Sequence, residues 1–99
     1  MYDTITTAEL AQKLQAGQPE LLDVREPDEF AAGHIPEARN LPLNQLVAAQ
    51  DTLDPSQHYY LICRSGNRSA NACAYLSQMG FQVTNVAGGM LDWKGAVSQ

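Results

Sequence analysis

Tyr59, Tyr60, Leu61, Ile62, Cys63, Arg64, Ser65, Gly66, Asn67, Arg68 and Ser69 follow one another in a stretch that changes character once, at the cysteine. Its first five residues form a continuous apolar run of strand length, as expected of a strand buried on both faces. The next six are polar and include one glycine. Beyond them Ala72, Cys73, Leu76 and Met79 fall at i, i+1, i+4 and i+7, on one face of a helix that Gly80 closes. The stretch therefore predicts a strand, a tight turn and a helix from Ser69 to Met79. A buried strand feeding straight into a helix is the unit of a parallel α/β fold, whose ligands bind beyond the carboxyl ends of the strands.

The flanking sequence repeats that alternation. Leu21, Leu22 and Val24 make a second short apolar run, Gln82 to Val86 a third strand, and Asn40 to Leu41 a shorter one. Thr6 and Glu9 match a capping box ahead of Leu10, Ala11 and Leu14, with Gly17 as a stop. An acidic helical turn is expected around Pro27 to Ala32 and a helix around Asn44 to Ala49. Pro and Gly punctuate these segments without forming a linker, and no repeat is present, so residues 1–99 read as one domain. The expected architecture is a parallel sheet covered by helices on both faces.

Composition narrows the partners. Charged residues are 17% of the chain against about 25% in average globular proteins, and apolar ones 44%, which favours a packed core over disorder. Six basic against eleven acidic side chains give a net charge of −5, a field that repels phosphate backbones and anionic lipid; neither nucleic acid nor membrane is an expected partner. No apolar run reaches the roughly 18 residues of a spanning helix, and Asp3 interrupts what would be a signal-peptide profile. The expectation is a soluble, cytoplasmic protein.

In a reducing compartment Cys63 and Cys73 need not be bridged. His34 and His58 lie apart from them with no zinc-ligand spacing, so neither metal nor other cofactor is expected. Cys63, at a strand end where backbone N–H groups converge on the start of a helix, sits in a cradle for a negative species. The first such species is its own thiolate, because a thiol of pKa about 8.5 ionises more readily at a helix N-terminus beside arginine. Arg64 and Arg68 make this turn a positive patch on an acidic chain, so an anionic substrate is expected. A lone cysteine here would ordinarily just end a buried strand. The glycine, two arginines and two serines that share the turn favour a reactive site instead. Cys73, on the apolar helical stripe, reads as core.

Other polar residues read as scaffold. Asp23 and Arg25, at a strand end beside the presumed site, either pair with each other or brace the loop arginines, and bracing is the favoured reading. His34 reads as a hydrogen-bonded turn residue, Trp93 as a core aromatic on the last helix, and His58, Glu26, Asp28 and Glu29 as solvated surface.

Taken together, these residues resemble a single-domain rhodanese, a thiosulfate sulfurtransferase, over nearly the whole chain. Asp23, Val24, Arg25, Glu29, Phe30, Gly33, His34, Ile35 and Pro36, with Ala38, Asn40, Leu41 and Pro42, are similar to the family's first motif. Cys63 to Ser69 resembles its active loop, and Gly88, Gly89 and Trp93 its closing motif. Glu37 stands where many relatives have glycine. The resemblance implies a five-stranded parallel sheet flanked by helices on both faces and a ping-pong reaction through a persulfide on Cys63. A small anionic sulfur donor such as thiosulfate would be held by Arg64, Ser65, Gly66, Asn67, Arg68 and Ser69. The acceptor would be cyanide or a thiol, thiol proteins included, with Asp23 and Arg25 in support.

Two other classes share parts of this pattern. Cysteine-dependent phosphatases and arsenate reductases also surround an oxyanion with a thiolate, backbone N–H groups and an arginine. There five residues separate cysteine from arginine; here four do, Arg64 to Asn67, leaving a smaller cradle. Non-catalytic rhodanese-like binding modules often lack the cysteine, which this chain retains.

Overall fold

A computed structural model describes all residues from Met1 to Gln99. Its five strands, β1 (Asp3–Ile5), β2 (Glu20–Asp23), β3 (Arg39–Asn40), β4 (His58–Ile62) and β5 (Gln82–Val86), form one sheet in the order β1-β5-β4-β2-β3. Every pairing is parallel. The helices are α1 (Thr7–Ala16), α2 (Pro27–Ala32), α3 (Leu46–Ala49), α4 (Asn67–Gln78) and α5 (Gly89–Asp92), with 3-10 turns at Leu43–Gln45 and Gln50–Thr52. None is long and apolar enough to cross a membrane.

The period of two along each strand divides the core into two layers. Tyr59, Leu61 and Cys63 point to one face, where Leu22, Val24 and Val83 join Ala72, Cys73 and Leu76 of α4 and Leu46 of α3. Tyr60 and Ile62 point to the other, packing with Leu21, Val86, Leu10 of α1 and Met90 of α5. Register pairs like with like, Leu22 beside Leu61 and Leu21 beside Tyr60. Apolar continuity in β2 and β4 thus has the cause the sequence suggested: both faces are covered.

The sequence reading named four strands; β1 is the fifth. Its three residues are exposed or half-buried at the sheet edge, so no apolar run marks it, and pairing with β5 holds it. The capping box of α1 is present, Thr6 Oγ1 accepting from the Glu9 N–H and Glu9 accepting from the Thr6 N–H. The helix expected from Ser69 begins two residues earlier, at Asn67, and Met79 is its exposed C-cap rather than part of the buried stripe. The carboxyl ends of β1, β2, β4 and β5 bring Thr6, Arg25, Cys63 and Gly88 to the same rim of the sheet.

Candidate active site

Cys63 directly follows β4 and is buried. Gly66, at φ +105°, turns the chain into α4 as its N-cap, a left-handed conformation that glycine adopts without a Cβ penalty. Glycine has no side chain to cap the exposed N–H groups of the first turn, and the cysteine sulfur takes that place. Cys63 Sγ accepts from the N–H of Gly66 at 3.1 Å and of Ser69, the third helical residue, at 3.3 Å. The N–H groups of Arg64, Asn67 and Arg68 make no hydrogen bond within the protein. Burial pushes the Cys63 thiol up, but hydrogen bonds from the Ser69 side chain and from the Ser69, Gly66 and Ser65 N–H groups outweigh it. The net effect holds the thiol below its ordinary pKa.

Two elements fix the turn from behind. Ser69 Oγ lies 2.5 Å from Asn85 Oδ1 and 3.3 Å from Cys63 Sγ, while Asn85 Nδ2 donates to the Gly66 carbonyl at 3.3 Å. From α5, the Met90 and Leu91 N–H groups donate to the carbonyls of Cys63 and Arg64 at 2.8 and 3.0 Å. Gly89 makes this approach possible, because a Cβ there would stand 2.3 Å from the Cys63 carbonyl oxygen.

The two arginines of the turn differ in their surroundings. Arg68 donates through both terminal nitrogens to Glu29 of α2, at 2.6 and 2.9 Å. That pairing lowers the Glu29 carboxyl to about 2 and raises Arg68. Glu29 is therefore not the solvated surface residue expected from the sequence. Arg64 is exposed and its side chain has no hydrogen-bond partner, as have Ser65 and Asn67. Asp23 and Arg25 do not brace either arginine by hydrogen bonding: they pair with each other, buried, at 2.8 Å. Arg25 also donates to the Gly33 carbonyl, and Asn40 Nδ2 to the carbonyls of Asp23 and Arg25.

His34 stacks on Phe30 and places Nδ1 2.8 Å from the Phe30 carbonyl, hydrogen-bonded as expected, but its backbone forms an antiparallel bridge with Ser98 instead of a turn. His58 is part-buried against Thr84, Nε2 to Oγ1 at 2.6 Å, which corrects its assignment to the surface. Trp93 is the half-buried C-cap of α5, and it walls a cavity of about 530 Å³ with Thr7, Ala8 and Lys94. Cys73 is fully buried, and burial raises it to about 12. Sequence reasoning missed Asn85 and the partnership of Glu29. Asn85 had one signal, a polar residue in phase with Val83 and hence on the buried face toward α4.

Comparison with known proteins identifies the family of the chain. The rhodanese-like domain matches residues 6–96. The Bacillus subtilis protein YtwF is 45% identical over 92 residues, which cover 92% of this chain and 89% of YtwF. A sulfurtransferase of Allochromatium vinosum is 38% identical over 95 residues, covering 94% and 89% of the two chains. Among solved structures, SSP1007 from Staphylococcus saprophyticus superposes with a TM-score of 0.93 at 34% identity, over 98% of this chain and 99% of that one. A rhodanese-like domain protein from Staphylococcus aureus gives 0.88 at 36% identity, over 93% and 91%. The chain belongs to the rhodanese-like domain family, and with these relatives it falls among the sulfurtransferases.

Proposed function

We propose that the protein moves a sulfane sulfur from thiosulfate, or another anionic donor, to cyanide or a thiol through a persulfide on Cys63. The observation that carries this reading is the Cys63 sulfur itself, buried and taking two backbone N–H donors at the start of α4. In that position it needs no separate general base, since the hydrogen bonds that favour the thiolate are built into the turn.

The thiolate attacks the outer sulfur of thiosulfate. A bond forms between Sγ and that sulfur, the sulfur–sulfur bond of the donor breaks, and its electron pair leaves on sulfite. The negative charge then rests on the outer atom of the persulfide, for which the N–H groups of Arg64, Asn67 and Arg68 are the nearest unengaged donors along the turn. An acceptor thiolate or cyanide attacks that outer sulfur and returns Cys63 to the thiolate. Arg64, exposed at the mouth, attracts the donor's sulfonate; Ser65 and Asn67 line the same turn. Phosphoryl transfer is disfavoured because Arg68, the residue placed to clamp a tetrahedral oxyanion, is occupied by Glu29.

Intact mass after incubation with thiosulfate tests the reading. The wild-type chain is expected to gain one sulfur atom and to release sulfite, while Cys63→Ser keeps its fold and gains none. Equal sulfur uptake by the serine variant would refute the assignment.

A further inference from the structure

Ser69 Oγ carries one hydrogen and has three acceptors within reach: Asn85 Oδ1 at 2.5 Å, the Gly66 carbonyl at 3.3 Å and Cys63 Sγ at 3.3 Å. Both side chains are buried, so no bulk water supplies a second donor. Asn85 cannot exchange its amide ends freely, because Nδ2 already donates to the Gly66 carbonyl and the reversed orientation would set two acceptors against each other. The short bond fixes where the Ser69 hydroxyl hydrogen points, at Asn85 Oδ1.

We infer that Asn85 is a positioning residue for Cys63 that acts through the Ser69 hydroxyl, holding its hydrogen while Sγ is a thiol or a persulfide and yielding it while Sγ is a thiolate. This rests on the reading of Cys63 as the sulfur carrier. In the thiol, S–H donates to Ser69 Oγ, whose own hydrogen goes to Asn85. When the thiol loses its proton to solvent, an unmoved hydroxyl would present a lone pair to the anion, so it turns and donates to Sγ at the expense of the Asn85 bond. Once the new sulfur–sulfur bond forms and the donor's breaks, the charge has moved to the outer atom and the hydrogen returns to Asn85. Competition from Asn85 thus keeps the thiolate less stabilised than Ser69 alone would make it. That preserves nucleophilicity, which falls as a thiolate becomes less basic.

The charged and titratable groups on the surrounding elements are Arg64, Arg68 with its partner Glu29, the neutral Cys73, the Asp23–Arg25 pair and Asp92 of α5. Substitution of Asn85 by an uncharged residue alters none of them. The test is the pH profile of alkylation at Cys63, read by peptide mapping of the sulfur-free enzyme. Asn85→Leu removes the competing acceptor at similar volume; the profile is expected to move to lower pH, with neutral-pH alkylation rising about threefold. Ser69→Ala is expected to move it to higher pH and slow alkylation about tenfold. In the Ser69→Ala background Asn85→Leu, which there removes only the bond to the Gly66 carbonyl, should no longer move the profile to lower pH. Asn85→Ala is expected to act like Asn85→Leu and replaces it if the leucine variant does not fold. Slower alkylation in a folded Asn85 variant, or an effect that persists without the Ser69 hydroxyl, would overturn the inference. Sulfur uptake measured by mass reads the persulfide separately, so failure of that reading would be seen there and not in the alkylation profile.

Discussion

Arg68 gives both terminal nitrogens of its guanidinium to the two carboxylate oxygens of Glu29, thirty-nine residues away on α2. The pair does two things to the site. It ties α2 to the first turn of α4, and it balances one of the two positive charges that the loop offers when its sequence is read alone. Arg64 is left as the loop arginine without an acidic partner.

Removing Arg68 therefore does more than delete a cation. In Arg68→Ala the Glu29 carboxylate stays near the loop uncompensated, and it disfavours both the thiolate and an anionic donor. Alkylation of Cys63 at neutral pH is expected to slow about threefold. Glu29→Gln combined with Arg68→Ala removes both charges and should recover most of the rate, as measured by a time course of labelling at Cys63. If the double variant is as slow as the single one, the guanidinium acts through shape and not through charge.

The same pair gives the fold an acid limit. The folded-state carboxyl of Glu29 lies at about 2, below its ordinary value of 4.5, so its stabilisation is fully present above 4.5 and is lost as pH falls toward 2. Both side chains are about one-third exposed, which keeps the contribution near 1 kcal/mol. Urea unfolding should show Glu29→Gln less stable by that amount at neutral pH, with the gap closing in acid. A gap that stays constant down to about pH 2.5 would detach it from this ionisation.

Asp23 and Arg25 form the second pair, and it is buried. Breaking a buried pair leaves an uncompensated charge, so Asp23→Ala is expected to cost about 3 kcal/mol of stability, read from denaturant midpoints. Sulfur transfer by the fraction that remains folded at low temperature should persist within a few-fold. Complete loss of transfer in a well-folded variant would move Asp23 from scaffold into the chemistry.

These relationships show what local sequence carries. Tyr59 to Ser69 announced strand, turn and helix because the apolar run, the glycine and the helical spacing are all local, and α1 was legible through Thr6 and Glu9. β1 was not, since Asp3 to Ile5 owe their strand to β5, eighty-one residues further on by the pairing of Asp3 with Thr84. Glu29 was read as solvated surface and Arg68 as a free cation of the loop, because no spacing rule joins residues on separate helices. Asn85 was visible only by its phase within β5, and phase says that a side chain is buried without saying what it meets. Asp23 and Arg25 left open a choice that burial decides: in a dry environment the nearest opposite charge wins.

The two cysteines should differ sharply in reactivity. Cys63 is hydrogen-bonded by Ser69, Gly66 and Ser65, which together hold it below its ordinary pKa despite burial. Cys73 has no such donors, lies among Ala72 and Leu76 in the core, and is pushed up to about 12 by desolvation. Both thiols are buried, so ionisation carries the difference, and Cys63 alone lies in the polar turn, beside the exposed Arg64, Ser65 and Asn67. Brief treatment of the native protein with a charged alkylating reagent at neutral pH is expected to label Cys63 and leave Cys73 untouched until the protein is denatured. Raising the pH should increase labelling of Cys63 only up to its own titration, with no second rise from Cys73 while the fold survives. Comparable labelling of both thiols would mean that the face of α4 carrying Ala72, Cys73 and Leu76 opens on the timescale of the experiment. Labelling chiefly at Cys73 would remove Cys63 from the centre of the site.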